Sequence, residues 1–172
     1  MKQRTVLVTC VDKYMGRAIV DRLTELDFRV LTDTQALVEQ SQCEELVRSV
    51  GEVDILIANL AESPRSGPVQ AIQNEDWTAL FSTLVDPLMF LVRAITPQML
   101  ERQSGKIIAV TSAAPLKGLA NNASYCAARG AQNAFIKAVG LELARSNIQV
   151  NAIAQNYINN STYYPSRLLD DE

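Results

Sequence analysis

The stretch Ile107-Ile108-Ala109-Val110, followed at once by Thr111-Ser112, indicates the fold most directly in this sequence of 172 residues. A short apolar run rich in β-branched residues, without polar alternation, is typical of a strand buried on both faces of a parallel sheet. Comparable runs lie at residues 6–8, 28–31, 55–58 and 148–153. The sequence therefore predicts five short strands.

Longer segments with helical spacing separate these strands, at residues 15–26, 43–50, 87–100 and 125–144. Alternation of strand and helix predicts the α/β class, here a Rossmann-like doubly wound parallel sheet with helices on both faces. The chain contains no internal repeat or linker, so we expect residues 1–172 to form a single domain. The polar residues 156–172 resemble an excursion loop, and we expect a truncated chain that lacks a last helix and an edge strand.

The composition is that of a globular protein, with 48% apolar residues, 20% charged residues and a formal net charge of −3. This mildly acidic balance argues against nucleic-acid binding, which usually needs a basic face. The cysteines Cys10, Cys43 and Cys126 form no C-x-x-C pair, which indicates reduced thiols and a cytoplasmic location. No uncharged apolar stretch approaches the roughly 18 residues of a membrane-spanning helix, so we expect a soluble protein without a membrane partner.

The sequence has no histidine, and this absence restricts the chemistry. It excludes Ser-His-Asp and Cys-His catalysis as well as metal sites with histidine ligands, and we expect no metal. A general base must then be a tyrosine, a lysine, a carboxylate or a cysteine thiolate.

Three residues form a candidate catalytic group. Ser112 ends a predicted strand, at the sheet edge where doubly wound folds bind ligands. Tyr125 and Arg129 are four residues apart at the start of a predicted helix, so they share a face. A cation and a helix N-terminus both favour a phenolate, which makes Tyr125 a candidate general base or acid. The alternative is that Tyr125 and Ser112 are ordinary core and capping residues.

The spacing of Ser112, Tyr125 and Arg129 resembles the catalytic pattern of short-chain dehydrogenases/reductases, and the resemblance extends from residue 6 to about residue 165. In that superfamily the third residue is normally lysine. Arginine at this position resembles one branch, the halohydrin dehalogenases, whose triad is Ser-Tyr-Arg. The resemblance therefore implies catalytic roles for all three residues.

The turn after the first strand departs from the dehydrogenase pattern Thr-Gly-x-x-x-Gly-x-Gly. It reads Thr9-Cys10-Val11-Asp12-Lys13-Tyr14-Met15-Gly16, so two of three glycines are replaced. The Tyr14 ring fills space that a pyrophosphate needs, and Asp12 repels it. The turn also resembles the dehalogenase pattern Thr-x4-Phe/Tyr-x-Gly. We therefore expect no NAD(P) and no cofactor-binding residues, and we expect Asp33, after the second strand, to be a solvated turn residue.

Two further loops resemble those of the dehalogenases. After the third strand, Asn59 is expected to hydrogen-bond the backbone, and the family's helix-borne catalytic asparagine falls near Leu84. After the fifth strand, Gln155-Asn156-Tyr157-Ile158 stands where dehydrogenases usually have Pro-Gly. The resemblance implies a halide site made of Asn156, the backbone N–H groups of Tyr157 and Ile158, and Tyr14. A tight surface loop is the alternative.

The resemblance implies cofactor-independent dehalogenation of vicinal haloalcohols to epoxides, with release of halide, and the reverse opening of epoxides by small anions. Tyr125 would remove the hydroxyl proton, and the alkoxide would displace the halide. The implied partners are a haloalcohol or epoxide, a halide ion and further copies of the chain in a dimer or tetramer. Two alternatives remain: an NAD(P)-dependent short-chain oxidoreductase, and an inactive scaffold that binds a partner.

Overall fold

A single five-stranded parallel sheet organises the chain. The computed structural model describes residues 3–156 and Ile158. The strand order is β2-β1-β3-β4-β5, and every adjacent pair is parallel. The strands are β1 Thr5–Val8, β2 Arg29–Thr32, β3 Ile55–Ala58, β4 Gly105–Ser112 and β5 Ile148–Gln155. The prediction of a Rossmann-like parallel sheet is confirmed, and all five predicted strands are present in the described chain.

Helices cover both faces of this sheet. They are α1 Gly16–Glu25, α2 Gln40–Val50, α3 Asn74–Leu80, α4 Asp86–Glu101, α5 Ala114–Lys117 and α6 Ala123–Leu143, with a π-helical segment at Phe81–Val85 and 3₁₀ turns at Val69–Ala71 and Ala144–Ser146. One face packs against α1, and the core on the other face includes residues of α2, α4 and α6. Side chains of α1 such as Ile19 and Leu23 contact β1 and β3, which explains the helical spacing of its apolar residues.

The strand order places a crevice at the carboxyl ends of β1 and β3. The chain leaves β1 toward β2 on one side and leaves β3 toward β4 on the other, so the two loops diverge. Ligands of doubly wound sheets bind at such a switch point. In the register of the sheet, Ser112 pairs with Gln155, so β4 and β5 bring their last residues to the same edge.

The helical segment Asn74–Glu101 is long and apolar, although the charged residues Asp86 and Arg93 interrupt it. By length and composition it could cross a membrane, since its mean hydropathy is 1.5, and 39% of its most apolar window is buried. Leu88, Leu91 and Ile95 of this segment lie in the core against the sheet. A core helix satisfies the same test, so this segment is weak evidence for a membrane span.

Gly16 fixes the approach of α1 to the turn after β1. A Cβ atom at this position would lie 2.5 Å from both Cα and the carbonyl oxygen of Val11, and backbone atoms cannot yield as a flexible side chain can. We predict that Gly16→Ala lowers the free energy of unfolding by about 1–3 kcal/mol, the usual cost of overpacking. Chemical denaturation measures this change.

Gly67→Ala is the matched control, because a Cβ atom there would meet nothing within 4 Å. This variant should unfold like the parent chain. Equal stability of the two variants would contradict the packing role of Gly16.

Candidate active site

The carboxyl edge of the sheet brings the predicted catalytic residues together. Ser112 is the last residue of β4, and Tyr125 and Arg129 lie one turn apart near the start of α6. Arg129 Nε donates a hydrogen bond to the Tyr125 hydroxyl at 3.2 Å, and the guanidinium carbon is 5.4 Å from the centre of the Tyr125 ring. The helical spacing therefore produces the contact that the sequence predicts.

Ser112 is held by its surroundings. Its Oγ accepts a hydrogen bond from the Ala114 backbone N–H at 3.1 Å, and its carbonyl accepts one from Asn133 Nδ2 at 3.1 Å. Its side chain and that of Tyr125 do not hydrogen-bond each other in the described structure. Both hydroxyl groups thus retain hydrogen-bonding capacity for a substrate.

Arg129 is a buried cation, only 3% exposed. Besides its contact with Tyr125, its Nη1 donates to the Leu60 carbonyl at 3.1 Å, the Val110 carbonyl at 3.3 Å and Gln132 Oε1 at 2.9 Å. None of the ion pairs within the described part of the chain involves Arg129. Its charge is therefore stabilised by neutral oxygen atoms that accept hydrogen bonds. This arrangement of acceptors suits a planar guanidinium, which has several N–H donors, better than an ammonium group.

The sequence prediction misses Gln132. Gln132 is 1% exposed, and its Nε2 donates to the Leu84 carbonyl in the π-helical segment at 2.6 Å. Leu84 itself is fully buried, and its apolar side chain offers no hydrogen-bonding group. A polar residue in the buried stripe of α6, with Ala128 and Ile136, is the sequence signal that could have identified Gln132.

The turn after β1 keeps the backbone shape of a glycine-rich turn without its glycines. Cys10 has φ +47° and Tyr14 has φ +42°, both in the left-handed region that favours glycine. The Cys10 side chain is turned away into the core, with its Sγ 3.7 Å from the Gln35 carbonyl. The Tyr14 hydroxyl lies 3.1 Å from Ser63 Oγ, which belongs to the loop after β3. Cys10 and Tyr14 both stand where the dehydrogenase pattern has glycine, and of these two residues only Tyr14 directs its side chain toward the loop after β3.

Asn59 fastens this turn to β3. Its Nδ2 donates to the Cys10 carbonyl at 3.0 Å and to the Lys13 carbonyl at 3.1 Å, and its backbone N–H donates to Thr9 Oγ1 at 3.1 Å. The expectation that Asn59 hydrogen-bonds the backbone is confirmed.

Two charges near the turn differ from the sequence expectation. Asp12 lies 3.6 Å from Lys13 Nζ, so an opposite charge offsets its repulsion of a phosphate group. Asp33 is 6% exposed rather than solvated, and its Oδ2 accepts a hydrogen bond from the Gln35 backbone N–H at 3.1 Å. Burial raises the pKa of Asp33 above its ordinary value. Asp33 therefore occupies the position, after β2, where an acidic residue binds the ribose in dinucleotide-binding folds.

The predicted halide site is described in part. Asn156 is exposed, Ile158 is half-buried, and Tyr157 lies outside the described residues. The Gln155 carbonyl accepts a hydrogen bond from the Ala113 N–H at 2.8 Å, which joins the end of β5 to the residue after Ser112. Anion binding by Asn156, Tyr157, Ile158 and Tyr14 stays a prediction.

The comparison with protein families agrees with this geometry. The family described as short chain dehydrogenase matches residues 31–167. The chain belongs to this family. Its curated relatives include acetoacetyl-CoA reductase of Acinetobacter sp. (strain RA3849), 33% identical over 66% of the chain and 46% of the relative. Another is gluconate 5-dehydrogenase of Gluconobacter oxydans (strain 621H), 31% identical over 83% of the chain and 54% of the relative. The chain thus spans about half the length of these relatives.

The similar solved structures include two that are described as dehalogenating and one that is described with NADP bound. A structure described as a dehalogenation enzyme is 29% identical, with a TM-score of 0.87 over 99% of this chain and 79% of that chain. A halohydrin dehalogenase bound to ethyl (2S)-oxiran-2-ylacetate is 28% identical, with a TM-score of 0.86 over 98% of this chain and 77% of that chain. The fold is equally that of ElxO with NADP bound, 18% identical with a TM-score of 0.90, over 98% of this chain and 78% of that chain.

The prediction that the protein has no NAD(P) cofactor is wrong on this evidence. The curated relatives include dehydrogenases and reductases, and the short-chain dehydrogenase family extends over most of the chain. The physical reason lies in the turn after β1, because its backbone keeps the left-handed residues although Cys10 and Tyr14 replace glycine. Asp12 is paired with Lys13, and Asp33 is buried in the ribose-binding position. The residues present therefore fit a dinucleotide better than the loss of the glycines suggests.

Burial of the Asp33 carboxylate should cost stability at neutral pH. Burial raises the pKa of Asp33 in the folded state, so folding favours the protonated carboxyl group. The cost is therefore present at pH 7 and disappears as the pH falls through the folded-state pKa toward the lower pKa of the unfolded chain. We predict that Asp33→Asn raises the melting temperature modestly at pH 7, because the amide oxygen can still accept from the Gln35 N–H. Thermal unfolding from pH 7 to pH 3 measures the difference, which should shrink toward acid.

Asp21→Asn is the control, because Asp21 is an exposed carboxylate on α1. An Asp33→Asn variant that is less stable than the parent chain at pH 7 would contradict this account of the buried carboxylate.

Proposed function

We propose that the protein is an oxidoreductase that interconverts a small alcohol and its carbonyl compound with NAD(P). The observation that carries this proposal is the match of the short chain dehydrogenase family over residues 31–167. The hydrogen bond from Arg129 Nε to the Tyr125 hydroxyl supports Tyr125 as the base of such a reaction. The names of its curated relatives support oxidation and reduction as the reaction class. The substrate is a small molecule with a hydroxyl group on the reacting carbon.

Tyr125 is the proposed general base in the oxidation and the proposed general acid in the reduction. In the oxidation its phenol oxygen removes the proton of the substrate hydroxyl while Ser112 Oγ donates a hydrogen bond to the substrate oxygen. The Arg129 cation, 3.2 Å from the phenol oxygen, stabilises the negative charge on that oxygen before the proton arrives. Burial of Arg129 strengthens this interaction because water does not screen it.

The cofactor would be held by the turn after β1 and by Asp33. Backbone N–H groups at the start of α1 suit a pyrophosphate, and Asp33 suits a ribose hydroxyl. When bound, a nicotinamide dinucleotide supplies or accepts the hydride. We also propose a cytoplasmic, single-domain protein that assembles with further copies of itself.

The second candidate function is dehalogenation of vicinal haloalcohols, which two observations favour. Arg129 replaces the lysine that short-chain dehydrogenases normally carry, and Tyr14 stands where their turn has glycine and extends to Ser63 in the loop after β3. The names of two solved structures, 29% and 28% identical to this chain, support the same reaction. The relatives taken together support the oxidoreductase better.

In this second reaction Tyr125 removes the hydroxyl proton, and the alkoxide oxygen then forms a bond to the neighbouring carbon as the carbon–halogen bond breaks. The products are an epoxide, a halide ion and a proton on Tyr125, which passes to solvent. The residues proposed to bind the halide are Asn156, Tyr157, Ile158 and Tyr14. Both candidate reactions therefore use Tyr125 as the base and Arg129 as its cation. They differ in what leaves the substrate, which is a hydride in the oxidation and a halide in the dehalogenation.

Two assays on the same protein preparation separate the candidates. The first follows NADH or NADPH absorbance with a panel of small ketones and alcohols, and the second follows halide release from vicinal chloro- and bromoalcohols. We predict activity in the first assay and its loss by about 10²–10⁴-fold in Tyr125→Phe, the usual contribution of a general acid or base. Arg93→Lys, a change in an exposed cation on α4, is the matched control.

Halide release that Tyr125→Phe abolishes, without any use of dinucleotide, would establish the second candidate and refute the first. Turnover by Tyr125→Phe at the parent rate in either assay would show that Tyr125 is not the base.

Restoring glycine at position 14 should favour dinucleotide binding. Tyr14 has φ +42°, so glycine relieves backbone strain there and removes the ring from the crevice. We predict that Tyr14→Gly binds NADH at least tenfold more tightly than the parent chain, as measured by nicotinamide fluorescence.

Tyr14→Phe is the control, because it removes the hydroxyl contact with Ser63 and keeps the ring. This variant should bind NADH as the parent chain does. Equal affinities of all three proteins would show that the ring does not limit the crevice.

A further inference from the structure

We infer that Gln132 is a positioning residue for the active site, which holds the Arg129 guanidinium against Tyr125 and does so without adding charge. The inference rests on the proposed role of Tyr125 as the general base and applies to both candidate reactions. Gln132 does not itself reach the phenol in the described structure, so it acts through Arg129.

The geometry of Gln132 is that of a fixed bridge. Its amide oxygen accepts from Arg129 Nη1 at 2.9 Å, and its amide nitrogen donates to the Leu84 carbonyl at 2.6 Å. Gln132 is 1% exposed and Leu84 is fully buried, so water does not compete for either bond. Both ends of the amide are thereby used, and the orientation of the amide is determined by one cationic donor and one carbonyl acceptor.

The π-helical segment provides the anchor of this bridge. Leu84 lies inside Phe81–Val85, where the widened turns alter the direction of the backbone carbonyls relative to an α-helix. The Leu84 carbonyl points to α6 and accepts from Gln132. Loss of this bond would leave the buried Leu84 carbonyl without the donor that it has in the described structure, and an unsatisfied buried carbonyl is unfavourable.

The neutrality of Gln132 matters as much as its position. The described oxygen partners of Arg129 are the carbonyls of Leu60 and Val110, the amide of Gln132 and the phenol of Tyr125. A buried cation surrounded by neutral acceptors retains its full attraction for the one partner that can become an anion, the Tyr125 oxygen. A carboxylate in place of the Gln132 amide would compete with the phenolate for the guanidinium.

Two substitutions separate position from charge. Gln132→Met keeps the length of the side chain but makes neither hydrogen bond. Gln132→Glu keeps an acceptor for Arg129 and adds a negative charge, but its carboxylate cannot donate to the Leu84 carbonyl. Gln98→Met is the matched control, since Gln98 also accepts from an arginine, Arg102 Nη1 at 3.0 Å, but outside the active site.

The first readout does not depend on activity. In protein labelled with ¹⁵N-arginine, the Arg129 Nε–H signal is identified by its absence in Arg129→Lys, and its exchange with solvent is measured by NMR. We expect exchange to be about tenfold faster in Gln132→Met, because a bond from a charged donor is lost. Exchange in Gln98→Met should match the parent chain, and exchange in Gln132→Glu should be slower than in Gln132→Met, because the carboxylate still accepts from Arg129. Parent-like exchange in Gln132→Met would overturn the positioning role.

The second readout is steady-state kinetics, with whichever substrate the parent chain turns over. We expect Gln132→Glu to lower kcat by about tenfold or more with little change in KM, although its guanidinium stays in place. Gln98→Met should keep the parental kcat. A parental kcat in Gln132→Glu would overturn the role of neutrality. If no substrate is turned over, the proposed function fails, while the exchange experiment still decides whether Gln132 holds Arg129.

Discussion

The buried guanidinium of Arg129 connects parts of the chain that are far apart in sequence. It donates to the loop after β3 through Leu60, to β4 through Val110 and to its own helix through Gln132 and Tyr125. A buried cation is costly unless its donors are satisfied, so these elements must meet in one arrangement for the fold to form. The same arrangement places Tyr125 and Ser112 at one edge of the sheet. The packing of these elements and the proposed catalysis thus depend on a single charge.

The backbone and the side chains of the crevice beside Arg129 favour different ligands. The backbone of the turn after β1 and the buried Asp33 have the features of a dinucleotide site. Tyr14 and Arg129 depart from the usual residues of dehydrogenases and resemble the sequence pattern of halohydrin dehalogenases. The protein therefore combines the scaffold of the short chain dehydrogenase family with departures at the positions proposed to contact a ligand.

The fold could be predicted from the sequence almost completely, because buried parallel strands are uninterrupted apolar runs. The contact between Tyr125 and Arg129 was equally predictable, since helical spacing determines it. The burial of Asp33 was not, because a polar residue after a strand resembles a solvated turn until the neighbouring elements enclose it. The anchoring carbonyl of Leu84 was also beyond prediction, since the π-helical widening has no signature in residue type. Tertiary contacts decide such features.

Cys10 and Tyr14 show that residue type does not determine the shape of the first turn. Both adopt left-handed backbone angles at a cost of about 1–2 kcal/mol each for residues with a Cβ atom. Asn59 and the strands on either side impose the path of the backbone, and the rest of the fold supplies the energy that this path requires. Cys10 is buried, so a replacement of Tyr14, whose side chain reaches the loop after β3, is the change that can alter which molecule enters the crevice while the main chain stays the same. A backbone held by its surroundings in this way separates the stability of the fold from the choice of the side chain that faces the crevice.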